Sequence, residues 1–97
     1  MPFIQIIDMK TDQYEAIDAL DRDWERETEG RRTVRRSIVC RDRNDPEHYM
    51  ILVCFDSYES AMENSALPET ATLAEKMGGL LSTPPAFHDL EVVDDRT

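Results

Sequence analysis

The sequence predicts a single α+β domain of order β-α-β-β-α-β, on three observations. Four apolar or β-branched runs alternate with segments of helical periodicity, and turn-type residues join the second run to the third. The tetrad D-x-Y-E also occurs twice, as Asp12-Gln13-Tyr14-Glu15 and Asp56-Ser57-Tyr58-Glu59, 44 residues apart and each time after a strand. A match at the same place in two strand–helix–strand units points to a duplicated plan.

Each element has its own justification. Phe3 to Met9 is mostly apolar and β-branched, a strand. Tyr14, Ile17, Leu20, Trp24 and Thr28 recur at three- and four-residue spacing among charged residues, an amphipathic helix that Gly30 ends. Thr33 to Arg41 reads as the second strand, with Val34, Ile38 and Cys40 on one side. Arg43-Asn44-Asp45-Pro46-Glu47 has turn chemistry and leads into His48 to Phe55, which holds an unbroken apolar run. Tyr58 to Ser65 suits a short helix that Leu67-Pro68 interrupts. Pro68 opens another, with Leu73, Ala74 and Met77 on one face, which Gly78-Gly79 stops. Pro84-Pro85 then enforces extended backbone before the last strand, Phe87 to Val93. Both D-x-Y-E tetrads are expected to be capping boxes, with the Asp as cap. Right-handed crossovers make this a ferredoxin-like fold over residues 1–97, a four-stranded antiparallel sheet with the first and third strands central.

Composition sets the limits. The 97 residues carry 21 acidic and 11 basic side chains, a net charge of −10. Leu, Ile, Val and Phe together number 21, so the core is thin. No run approaches the roughly 18 apolar residues of a membrane span, and the acidic field repels nucleic acid. The first ten residues lack signal-peptide character, so a cytoplasmic location is expected. The third strand is apolar on both faces, while the helices of so short a chain cover only one. The other face therefore calls for a second copy, a homodimer packed sheet to sheet.

Phe55-Asp56-Ser57-Tyr58-Glu59-Ser60-Ala61-Met62 resembles the aromatic–acidic–Ser–x–Glu–x–Ala turn and helix of the dimeric α/β-barrel superfamily. The order and length of the elements from Phe3 to Val93 are similar to its antibiotic biosynthesis monooxygenase-like group, as is Asn64-Ser65-Ala66-Leu67-Pro68-Glu69-Thr70. The resemblance implies a ligand cavity between sheet and helices. It also implies chemistry ranging from cofactor-free oxygenation of aromatic or polyketide-like compounds to lactone isomerisation, or binding alone. Haem-degrading relatives carry an Asn on the first strand, a Trp ending the third and a helical His. Here Gln5 or Ile7, then Phe55, take the first two places, and no His lies between Ser57 and Leu81. No haem, and no other cofactor, is therefore expected.

Placing Asp42 opposite His48 puts Cys40 opposite Met50 and Arg36 opposite Cys54. The cysteines are then about 13 Å apart along the ladder, too far for a disulfide, and are expected to be buried thiols. No Cys or His spacing suits a metal. The same register aligns Tyr49, Ile51, Val53 and Phe55 with Arg35, Ser37, Val39 and Arg41 on the face that the resemblance turns towards the cavity. Gln5, Trp24, Arg35, Ser37 and Phe55 are the candidate ligand contacts, and Tyr49 and His88 the candidates for proton transfer. Arg35 either meets a ligand or pairs with an acid of the first helix. Residues 31–43 hold six arginines and one aspartate, while 12–29 hold eight acids and two arginines, so strand and helix are expected to neutralise each other within or between subunits, unless the strand holds an anion or phenolate site.

Overall fold

A computed structural model describes all 97 residues. The chain runs β1 (Phe3–Lys10), α1 (Tyr14–Glu27), β2 (Arg36–Arg41), β3 (His48–Phe55), α2 (Tyr58–Ser65), α3 (Pro68–Gly78) and β4 (Ala86–Glu91). The strands form one antiparallel sheet in the order β2-β3-β1-β4, the ferredoxin-like arrangement that the sequence predicts. The central ladder is eight pairs long, from Phe3 opposite Phe55 to Lys10 opposite His48. At the edge, Arg36 lies opposite Cys54 and Cys40 opposite Met50, the register expected from the turn. Asp42 and Asp45 hold that turn by accepting from the backbone N–H groups of Asn44 and Glu47, at 2.8 and 3.1 Å.

Three local expectations are corrected. The second strand starts at Arg36 rather than Thr33. The Thr33 N–H donates to the Asn64 side chain and its hydroxyl to the Ser60 carbonyl, so this segment is tied to α2, and Val34 packs on the core under the helices. Neither Asp of the repeat is a cap. At α2, Ser57 and Ser60 cap each other's backbone at 3.1 Å, while Asp56 is occupied by Arg35. Before α1, buried Thr11 accepts from the Gln13 N–H and donates to the Leu80 carbonyl. The repeat nonetheless marks both helix starts, at Tyr14 and Tyr58. Finally, within the chain the basic segment makes no ion pair with α1, although Arg31 and Arg32 donate to the Glu27 and Glu25 carbonyls. Arg31 meets Glu69 of α3 at 2.5 Å, and the arginines of α1 pair within that helix, Arg22 with Asp18 and Arg26 with Asp23.

Only ten residues are buried, and six of them form two separate apolar clusters. Phe3, Phe55 and Ala61 pack at one end, and Met9, Ile17 and Ile51 at the other, with Val53 touching both. Alternation assigns Phe3, Ile7, Met9, Ile51, Val53 and Phe55 to the helix side. It leaves Ile4, Ile6, Ile38, Met50, Leu52 and Leu90 on the opposite face, which no element of the chain covers. Cys40 and Cys54 are free thiols on that open face. Cys40 is exposed and Cys54 half-buried, which corrects the expectation that both are buried.

His48 closes one end of the open face and is not a freely solvated turn residue. Its Nε2 lies 2.6 Å from Asp8 and its Nδ1 3.0 Å from Asp42. These hydrogen bonds, that with Asp42 foremost, hold the imidazolium above the ordinary histidine range. The folded state thus binds the proton more tightly than the unfolded chain. The stabilisation is complete below the ordinary histidine value and is lost as pH rises through the higher folded one. Thermal unfolding at about pH 6 and about pH 9 is expected to show a loss of stability across this interval that His48→Gln removes. An equal loss in the variant contradicts the assignment.

Candidate functional site

The two apolar clusters leave a gap between them. A cavity of about 320 Å³ lies there, between the helix side of the sheet and α1 and α3, large enough for a two-ring aromatic molecule. Its floor is Gln5, Ile7, Ile51 and Val53, and Trp24, Leu73 and Met77 of the helices stand over it. α1 is seated over the sheet on two buried anchors, Ile17 and Trp24, seven residues apart, and Trp24 lines the cavity.

Of the residues selected from the sequence, Gln5, Trp24, Arg35, Ser37 and Phe55 all line this cavity. Their roles differ. Trp24 is a wall, 8% exposed, with its indole N–H donating to Thr70 Oγ1 at 3.0 Å. Thr70 in turn donates to the Asn64 carbonyl at 2.9 Å, which ties α3 to the end of α2. Phe55 belongs to the core cluster around Phe3. The Gln5 amide N–H donates to Asp89 at 3.2 Å, leaving its carbonyl oxygen available. Arg35 sits at the mouth, where its guanidinium makes two bonds to Asp56, at 2.6 and 2.9 Å, and both side chains are largely exposed. That bond holds the Asp56 carboxyl below its usual range. The partner of Arg35 is thus the acid that follows β3, not one of α1. Tyr49 shares the helix side but stacks on Tyr14 at 4.6 Å and does not line the cavity. His88 is opposite Ile6 on the open face and exposed, so the sheet itself separates it from the cavity.

No family model and no curated protein matches the sequence. Solved structures do match the fold. Rv0793 of Mycobacterium tuberculosis superposes with a TM-score of 0.81 at 18% identity, covering 100% of both chains. SnoaB of Streptomyces nogalater, a cofactor-independent oxygenase, gives 0.81 at 8% identity over 97% of this chain and 95% of its own. A Caulobacter crescentus protein named as an antibiotic biosynthesis monooxygenase gives 0.79 at 12% identity, covering 96% of this chain and 91% of that one. The chain has the fold of the antibiotic biosynthesis monooxygenase-like proteins.

Within this monooxygenase-like fold, two cavity residues escape a sequence reading. Asn64 is 7% exposed, and its side-chain oxygen accepts from the Thr33 N–H at 3.3 Å. Its NH₂ group makes no hydrogen bond within the chain, and the residue lines the cavity. Asp21 lines the cavity from α1 and makes neither a hydrogen bond nor an ion pair. In the sequence Asn64 looks like the polar end of a short helix, and Asp21 like one of many solvated acids. Only the packing of α1 and α3 on the sheet distinguishes them.

Proposed function

We propose that the chain is a small-molecule-binding homodimer that acts on an aromatic or polyketide-like compound as a cofactor-independent monooxygenase-like enzyme. The observation that carries this reading is the cavity, which sets eight apolar lining residues among ten polar or charged ones, a combination that suits a flat ring system bearing oxygen substituents. Likeness of fold to SnoaB, a cofactor-independent oxygenase, supports the reaction class. In such a reaction an electron-rich arenol supplies the reducing electrons itself. One atom of O₂ becomes a quinone oxygen on the ring and the other leaves as water. The Asn64 side-chain amide is a donor suited to the oxygen on which negative charge develops.

Trp24 is the single tryptophan and a cavity wall, so its fluorescence reports occupancy. Titration with 1-naphthol is expected to quench it saturably, and 1,5-dihydroxynaphthalene to consume O₂ and yield the hydroxynaphthoquinone. Absence of saturable quenching contradicts a small-molecule site. Binding without O₂ consumption favours the non-catalytic reading.

The homodimer follows from the open face. Ile4, Ile6, Ile38, Met50, Leu52 and Leu90 make it a continuous apolar surface across all four strands. A second copy buries it with the chemistry already present, and His48 with its two carboxylates stands at its edge. Light scattering is expected to give twice the 11.2 kDa chain mass. Leu52→Asp, which places an unpaired charge at the centre, is expected to weaken association by at least about a hundredfold. A monomeric parent chain at micromolar concentration contradicts the assignment.

A further inference from the structure

The buried stripe of α1 contains one residue of the wrong chemistry. Ile17, Trp24 and Thr28 are 1%, 8% and 0% exposed, and Asp21 occupies the position between Ile17 and Trp24 on the same face, four residues after the first and three before the second. An apolar residue there would extend the core. Instead a carboxylate with no ion pair and no hydrogen-bond donor lines the cavity between Ile17's cluster and Trp24. Arg22, the nearest basic residue in sequence, is taken by Asp18 at 2.9 Å. The other charged residues around the cavity are Glu25, one turn further along α1, Arg32 and Arg35 of the segment before β2, and Arg36, the first residue of β2. β1, β3, α2 and α3 contribute none. Arg32 donates to the Glu25 carbonyl at 2.5 Å and Arg35 is paired with Asp56, while Arg36 stands opposite Cys54, on the side of the ladder that faces away from the helices.

We propose that Asp21 sets the ligand specificity of the cavity: its carboxylate accepts a hydrogen bond from an uncharged aromatic hydroxyl and excludes carboxylate ligands. This rests on the cavity being a small-molecule site. A partly buried carboxylate without a donor loses hydration that nothing in the chain replaces, and a ligand hydroxyl supplies what is missing. Asn64, with its free NH₂ group, provides a donor from the α2 side for the same class of ligand, which both donates and accepts through oxygen. A carboxylate ligand offers no donor and meets Asp21 and Glu25 as like charges.

The same geometry has a thermodynamic signature. Burial first, then repulsion from Glu25 and Asp18, pushes the Asp21 carboxyl above its usual range, partly offset by Arg22. The folded state therefore favours the protonated form. The ionised form destabilises it, increasingly as pH rises above the ordinary carboxylate value. Asp21→Leu and Asp21→Asn are then expected to melt higher than the parent chain at about pH 7, and Asp21→Asn to lose most of that advantage at about pH 3.

The test compares 1-naphthol with 1-naphthoate by Trp24 fluorescence at about pH 7, on the parent chain and both variants. The parent chain is expected to prefer 1-naphthol at least about tenfold. Asp21→Leu is expected to weaken 1-naphthol binding by about ten- to a hundredfold, and both variants to bind 1-naphthoate more tightly. A naphthol-to-naphthoate ratio unchanged in both variants, with binding retained, overturns the role of Asp21 and leaves the cavity as a site. Failure of the folded parent chain to bind either probe overturns the small-molecule reading itself.

Discussion

The structure depends on the register of one pair of strands, β1 against β3. Eight consecutive pairs fix which residues of the two central strands look towards the helices and which look away. Because strand side chains alternate, a slip of one residue would turn one of the two strands over. Either Phe3 and Met9 would leave the core and Ile4 and Ile6 face the helices, or Ile51 and Phe55 would leave and Leu52 and Cys54 face them. The observed register places the largest side chains at the two ends of the ladder, where the helices grip them, and the smaller Gln5, Ile7 and Val53 in the middle. The cavity is thus a product of side-chain size along a correctly registered ladder.

That arrangement joins stability to function in one small domain. A chain with ten buried residues has little apolar burial to spare, yet it leaves a gap over the centre of its sheet and places an unpaired carboxylate beside it. Both features reduce stability in the absence of a ligand. The open face works in the same direction, since its apolar residues gain burial only against a second copy. A ligand and a partner chain would each restore part of what the isolated chain lacks.

Much of the fold was legible in the sequence because it is written in local terms. Pro68 fixes the start of α3, the seven-residue apolar run gives β3 its limits, and the turn acids Asp42 and Asp45 set the hairpin register from which the cavity face follows. Three of the five candidate ligand contacts, Arg35, Ser37 and Phe55, follow from that register. What escaped depends on partners distant in sequence. Asp56 looked like a helix cap until Arg35, 21 residues earlier, occupied it. Thr33 looked like strand until α2 offered Asn64 and Ser60. Tyr49 and His88 have suitable side chains, but one is stacked on Tyr14 and the other lies across the sheet. Asp21 was hidden among the eight acids of residues 12–29, and only helix packing shows that it shares the buried face with Trp24.

The central claim is that the ligand site lies between the sheet and the helices and not on the open face. Methyl-resolved NMR during titration with 1-naphthol tests this directly, because the two faces carry different aliphatic residues on the same strands. Shift changes concentrated on Ile7, Ile51, Val53 and Leu73 are the predicted result. Changes concentrated on Ile4, Ile6, Leu52 and Leu90, with the first group unmoved, would contradict it.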